Sequence, residues 1–114
     1  MHGRNSRGFT LMEVMVVSLI IGILTSIATP QFLSSRSMSR QRSCIANLRQ
    51  INSAKDQWAM AANLSTGDPV AQADLAPDFI RKWPTCPAGG TYTINAVSVN
   101  AACSLNAGKY PHKL

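Results

Sequence analysis

The chain has 114 residues, of which 14% are charged and 6% aromatic, and its formal net charge is +6. This length suits one small domain, and the charged fraction lies well below the quarter that is usual in soluble domains. The positive charge permits contact with anionic lipid, nucleic acid or acidic polymer, but requires none of them. The sequence shows no nucleophile–base pair and no phosphate-binding glycine loop, so an enzymatic function is not expected.

A long apolar segment follows the short, polar and basic residues 1–8. From Val14 to Ser35, 22 consecutive residues carry no charge, and a helix of roughly 20 mostly apolar residues crosses the hydrocarbon core of a bilayer. Because backbone groups in lipid must pair internally, this segment is expected to be helical. Gly22 and Pro30 are tolerated there and are expected to make the helix flexible, and Pro30 is expected to kink or loosen it because it removes a backbone donor.

The next segment is predicted to continue the helix with one apolar face. Its apolar residues recur at Cys44 or Ile45, then at Leu48, Ile51, Trp58 and Ala62, and charged residues including Lys55 are assigned to the other, polar face. Steps of three, four and seven are typical of a one-sided helix. The simplest prediction is a single helix over residues 9–63, roughly 80 Å long, which ends before the turn-forming run at 65–69.

The C-terminal region is predicted to be a small head that packs on the apolar face of the helix. Residues 74–83 suit one or two helical turns. Residues 91–95, TYTIN, alternate and are rich in β-formers, so they predict a strand. Residues 97–99 either pair with that strand or continue it. The predicted fold class is therefore α+β, with a long N-terminal helix and a short antiparallel β element.

Three cysteines, Cys44, Cys86 and Cys103, are spaced in a way that fits no zinc or redox motif. In an exported chain they indicate one disulfide and one remaining thiol. A bridge between Cys86 and Cys103 would close an 18-residue loop, which stabilises a small domain by about 3 kcal/mol. Pairing of Cys44 with either of the other two cysteines, or no bridge at all, stays open. The preferred interpretation of Cys44 is a small buried residue on the apolar face of the helix. His2 and His112 stand isolated at the termini, and no metal site or cofactor is predicted.

Residues 7–17, RGFTLMEVMVV, resemble the N-terminal signal of type IV prepilins and type II secretion pseudopilins. In that family a short basic leader ends in glycine, and Phe or Met, three further residues, a glutamate and a long apolar run follow. Gly8 matches the cleavage glycine, Phe9 the new N-terminus and Glu13 the glutamate, while Pro30 stands where such helices often carry proline. The resemblance implies a filament subunit cut between Gly8 and Phe9 and N-methylated at Phe9.

The resemblance also implies a role for Glu13 in assembly. A carboxylate at bilayer depth costs a few kcal/mol and is rarely left without a partner. After cleavage, Phe9 carries a charged amine four residues from Glu13 on the same helix face. Glu13 then pairs with the amine of its own chain or of a neighbouring subunit, and the residues do not decide between these. The competing interpretations are a glutamate at headgroup level without a role, a secretory signal cut after Ala28, and an unprocessed anchor.

The expected organisation is a leader at residues 1–8, a transmembrane and assembly half at 9–33, an amphipathic half at 34–63 and a head at 64–114. Expected partners are other pilins, prepilin peptidase, the inner-membrane assembly platform and membrane lipid. The precursor is expected to cross the inner membrane once, with the head periplasmic or extracellular. Alternatives are a competence pilin for DNA uptake and a membrane-tethered binding domain that does not polymerise.

Two sets of charged residues allow further interpretations. Four arginines follow the apolar segment: Arg36, Arg40, Arg42 and Arg49. They could bind an anionic partner, but the preferred interpretation is that they are solvent-exposed residues of the helical stalk. No aromatic residues that would stack on bases are interleaved with these arginines, so nucleic acid is not an expected partner. Three aspartates of the head lack EF-hand spacing and are preferred as caps or surface charges over a calcium site: Asp68, Asp74 and Asp78.

Overall fold

The computed structural model describes Gly3 and residues 7–114. Its elements are helix α1 (Leu11–Ala61), the single-turn helix α2 (Gln72–Leu75), and strands β1 (Tyr92–Thr93) and β2 (Ala102–Cys103). The chain divides into two compact units, one ending at Ser35 and one from Arg36 to Leu114. The predicted pilin-like α+β fold is confirmed, while the leader residues 1–2 and 4–6 lie outside the described residues.

The first unit contains the apolar part of α1. Its large apolar side chains are exposed, from 49% at Val16 to 85% at Phe9. Within the described part of the chain, α1 alone is long and apolar enough to cross a membrane, and none of its most apolar stretch is buried. Such a helix, apolar all round, needs lipid or other helices to cover it.

Helix α1 ends in a Schellman motif centred on Asn63. The backbone of Asn63 is left-handed (φ 52°), and the next N–H, from Leu64, donates to the Ala59 carbonyl at 2.9 Å. The N–H of Asn63 itself donates to the Met60 carbonyl at 3.5 Å. Asparagine is one of the few residues that adopts this conformation readily, which explains why the helix stops close to the predicted residue 63.

The amphipathic part of α1 buries one face, largely as predicted. Cys44, Leu48 and Ile51 are fully buried, and burying a side chain such as Leu48 contributes about 2 kcal/mol. Two positions differ from the predicted pattern. Ala62 is exposed because it lies beyond the helix end, and Lys55, assigned to the polar face, is buried.

The head packs against this face through its own apolar side chains. Leu75 and Ile80 are buried in the same core as Leu48 and Ile51. Helix α2 is a single turn, at the short end of the prediction, and the Asp74 carboxylate accepts a hydrogen bond from the Ala71 N–H at 2.9 Å. This bond satisfies a backbone donor that an isolated helical turn leaves without a partner.

The β element is antiparallel and pairs Tyr92 with Cys103 and Thr93 with Ala102. The predicted strand at 91–95 is thus confirmed at its centre. Residues 97–99 form a turn, so neither sequence-based alternative for them is correct. Positive φ angles at Asn95 (60°) and Ser98 (68°) bend the chain out of the extended conformation there.

Candidate functional site

Helix α1 begins at Leu11, two residues beyond Phe9, the predicted new N-terminus. Residues 7–10 are exposed and lie outside the helix, so the Gly8–Phe9 peptide bond is in an accessible, irregular segment. The Thr10 hydroxyl oxygen accepts a hydrogen bond from the Glu13 N–H at 3.2 Å. Thr10 therefore acts as the N-cap of α1. The local signal for this cap is the sequence TLME, in which Thr10 is followed three residues later by Glu13.

Phe9 and Glu13 lie on one face of the chain. Together with Val14, Val17 and Ser18 they line a single shallow depression. The Glu13 carboxylate has no hydrogen-bond or ion-pair partner among the described residues. The predicted proximity of Glu13 to residue 9 agrees with this geometry, and its carboxylate is available to a cation.

The position of Glu13 favours a negative charge electrostatically. Glu13 stands in the first turn of α1, where the positive end of the helix dipole stabilises an anion. In an apolar environment the helix dipole does not compensate for the lost hydration of the carboxylate, so an unpaired charge there still costs free energy. A cationic amine at residue 9 would supply the missing opposite charge.

The middle of the apolar segment keeps its polar groups satisfied internally. Hydroxyls of Ser18 and Thr29 donate to carbonyls four residues earlier, each at 2.8 Å, and Ser26 donates to Ile23 at 2.8 Å. Helix α1 continues through Gly22 and Pro30 without a break. A Cβ added at Gly22 meets nothing within 4 Å. These contacts do not test whether Gly22 and Pro30 make the helix flexible, which stays a prediction.

The three cysteines are buried, close together and free thiols. The predicted Cys86–Cys103 bridge is not formed in the structure and stays a prediction. Cys44 is fully buried on α1, as preferred. His112 is not isolated, because it is buried with its Nδ1 atom 3.5 Å from the Cys86 sulfur. Sequence spacing gave no signal for this cluster, since it forms from four distant segments.

Most of the arginines beyond the apolar segment and the aspartates of the head lie at exposed or turn positions. Arg36, Arg42 and Arg49 are exposed. The Asp68 carboxylate accepts a hydrogen bond from the Ser65 N–H at 2.8 Å, and that of Asp74 caps α2. These aspartates thus stabilise turns, as the preferred interpretation expected.

Comparisons with known proteins agree with the N-terminal motif. Residues 3–29 match the family described as the prokaryotic N-terminal methylation motif. The chain is 27% identical over 108 residues to the type II secretion system core protein G of Klebsiella michiganensis, covering 82% of this chain and 76% of that protein. It is 28% identical over 102 residues to the type IV wide pilus major component of Thermus thermophilus, covering 90% and 73%.

A shorter but closer match is to the type IV major pilin of Myxococcus xanthus, at 40% identity over 65 residues, which covers 51% of this chain and 30% of that pilin. No solved structure matches the chain. The motif at residues 3–29, the exposed apolar helix and these relatives point the same way. The chain carries the prepilin-type N-terminal motif at residues 3–29 and is similar over most of its length to type II secretion core protein G and to a type IV pilus component.

Proposed function

We propose that this protein is a structural filament subunit that is cut after Gly8 and assembles through the apolar part of α1. One observation carries the proposal: Glu13 presents a carboxylate without a partner among the described residues, on the same face as Phe9, at the start of an exposed apolar helix. A helix with these properties is incomplete as a monomer. Neighbouring copies would supply both apolar cover and an opposite charge.

The mechanism follows from charge and solvation. Prepilin peptidase cuts the accessible Gly8–Phe9 bond and methylates the new amine of Phe9, which stays charged. Each subunit remains in the inner membrane until an assembly platform extracts it. The apolar helices then exchange lipid for contact with one another, and Glu13 pairs with the Phe9 amine of a neighbour, which sets the axial stagger.

The head is placed on the periplasmic or extracellular side by this mechanism. A competence role has less support, because no aromatic residue that would stack on bases stands between Arg36 and Arg49 in the sequence.

Processing is tested by the N-terminus and intact mass of the protein extracted from its native membrane. A chain that starts at Phe9 and is one methylene heavier than its sequence is expected. A start at Thr29 would identify an ordinary secreted domain, and a start at Met1 an unprocessed anchor. Either result would contradict the proposal.

Assembly is tested by substituting Glu13 in the native host. Glu13→Ala and the nearly isosteric Glu13→Gln are expected to abolish or strongly reduce sheared filaments, while the processed subunit remains in the membrane. Asp78→Ala, at an exposed acid of the head, is the control and should assemble normally. Normal filament yield from Glu13→Gln would disprove the pairing, and a processed wild-type chain never found in filaments would favour the tethered binding domain.

A further inference from the structure

Four side chains that bind soft metals meet inside the head. Cys44 comes from α1, Cys86 from the loop before the sheet, Cys103 from β2, and His112 from the C-terminal tail. One ligand atom from each, three sulfurs and an imidazole nitrogen, lies within 4.8 Å of every other. All four residues are at most 7% exposed.

The C-terminal tail is held in a way that brings His112 to the sulfurs. Its backbone N–H donates to the Leu105 carbonyl at 2.8 Å. The preceding carbonyl, from Pro111, accepts a hydrogen bond from the Gln41 side chain of α1 at 2.8 Å. Two hydrogen bonds therefore fix the backbone on both sides of His112, and its Nδ1 lies 3.5 Å from the Cys86 sulfur.

Backbone donors surround the Cys86 sulfur. The N–H groups of Ala88 and Gly90 hydrogen-bond to it, and such outer donors orient and stabilise a ligand sulfur in metal sites. The turn at residues 86–90 therefore suits Cys86 to hold a cation.

Cys44 also has an outer partner. The Tyr92 hydroxyl hydrogen-bonds the Cys44 sulfur and accepts a hydrogen bond from the Asn47 side chain at 3.0 Å. Hydrogen-bonded partners of this kind hold a ligand side chain in position in metal sites.

We propose that Cys44, Cys86, Cys103 and His112 together bind one Zn²⁺ ion in a structural site. In a tetrahedral zinc site, metal–sulfur distances of about 2.3 Å and a metal–nitrogen distance of about 2.0 Å put neighbouring ligand atoms roughly 3.5–3.8 Å apart. The sulfur–nitrogen distance of 3.5 Å and the mutual limit of 4.8 Å fit a site that closes slightly around the ion.

A disulfide accounts for fewer of these observations. It needs two sulfurs about 2.05 Å apart and leaves the third buried thiol and the buried imidazole without a role. A zinc ion uses all four groups. Three thiolates and one neutral imidazole would occupy all four positions, so the site has no open coordination position for a substrate and serves stability. Binding would release the protons of the thiols that are still protonated.

The ion would link four separate segments of the chain at one point. It connects α1, the Cys86 loop, β2 and the tail, and each of these segments is short or irregular apart from α1. The surface depression that Cys103 and His112 line, with Lys113 and Leu114 at its edge, offers a route for entry of the ion. A small core is stabilised strongly by such a link.

The test is the metal content of the full-length protein, purified in mild detergent without chelator. Elemental analysis is expected to find about one zinc per chain, as for a closed structural site. Exchange with Co²⁺ should produce thiolate charge-transfer bands and the visible bands of a tetrahedral ion. After chelation and denaturation without reductant, all three cysteines should react with iodoacetamide.

Variants at the histidine separate ligation from folding. The zinc content per chain is expected to fall at least tenfold in His112→Ala. It should stay at the wild-type level in Lys113→Ala, which changes an exposed neighbour. His112→Cys should restore zinc and strengthen the cobalt charge-transfer band, which a residue needed only for packing would not do. The proposal is overturned by a Cys86–Cys103 disulfide in the extracted chain, by substoichiometric zinc in the wild type after zinc addition, or by equal zinc content in wild type and His112→Ala.

Discussion

The ammonium of Lys55 donates a hydrogen bond to the Ile94 carbonyl at 2.8 Å, across the interface between α1 and the head loop. It also reaches the carbonyls of Ala96, at 3.3 Å, and Val99. Asn52, one helical turn earlier, accepts a hydrogen bond from the Ala101 N–H at 2.9 Å. The loop is not paired as a strand, so its backbone carbonyl and N–H groups need other hydrogen-bond partners. Lys55 and Asn52 of α1 supply them.

Replacing Lys55 by methionine is expected to destabilise the head by about 2–3 kcal/mol, because buried carbonyls lose their donor while the apolar stem is kept. Urea unfolding followed by the fluorescence of Trp58 and Trp83, which pack against the core, measures the change. Lys82→Met, at an exposed position, is the control. A loss no larger than that of the control would show that the loop does not depend on Lys55.

The same lysine predicts a pH dependence. Burial lowers the pKa of Lys55 below 10.5, against the attraction of Asp56. Between the lowered value and pH 10.5 the unfolded chain binds more protons than the folded chain, so this residue makes the free energy of unfolding rise with pH there. The difference in unfolding free energy between wild type and Lys55→Met should therefore increase through this window. A constant difference would contradict the prediction.

Gly90→Ala should destabilise the head by about 1–3 kcal/mol, the usual effect of overpacking. An added Cβ would lie 2.6 Å from the Cys103 sulfur and 3.2 Å from the Cys86 sulfur. Thermal unfolding of the reduced, metal-free chain measures this effect apart from metal binding. Gly22→Ala, where a Cβ meets nothing within 4 Å, is the matched control, and equal melting of the two variants would exclude the steric conflict.

Thr10→Ala should weaken the first turn of α1 by about 1 kcal/mol, since the Glu13 N–H loses its cap. Amide hydrogen exchange in detergent micelles should be faster at residues 11–14 and unchanged further along. Thr29→Ala removes a hydroxyl that donates to a carbonyl within the helix and should leave the first turn protected. Equal exchange of the first turn in both variants would argue against capping by Thr10.

Local sequence patterns were sufficient to predict the structure of the N-terminal half. An uncharged run of 22 residues determines a membrane-length helix by composition alone. The spacing from Gly8 to Phe9 and Glu13 was also sufficient to predict the N-terminal motif, because that motif is a short linear segment. The helical period likewise located Cys44, Leu48 and Ile51 on the buried face.

The head was predictable only in outline, because its structure depends on contacts between distant residues. No local signal distinguishes Lys55 from an exposed helical lysine. Its burial depends on carbonyls about 40 residues away in sequence. Tertiary structure alone brings Cys44, Cys86, Cys103 and His112 within ligand distance. Periodicity and motifs report neighbours along the chain, whereas coordination and burial depend on neighbours in space, and these are determined only when the tail and the loops fold onto α1.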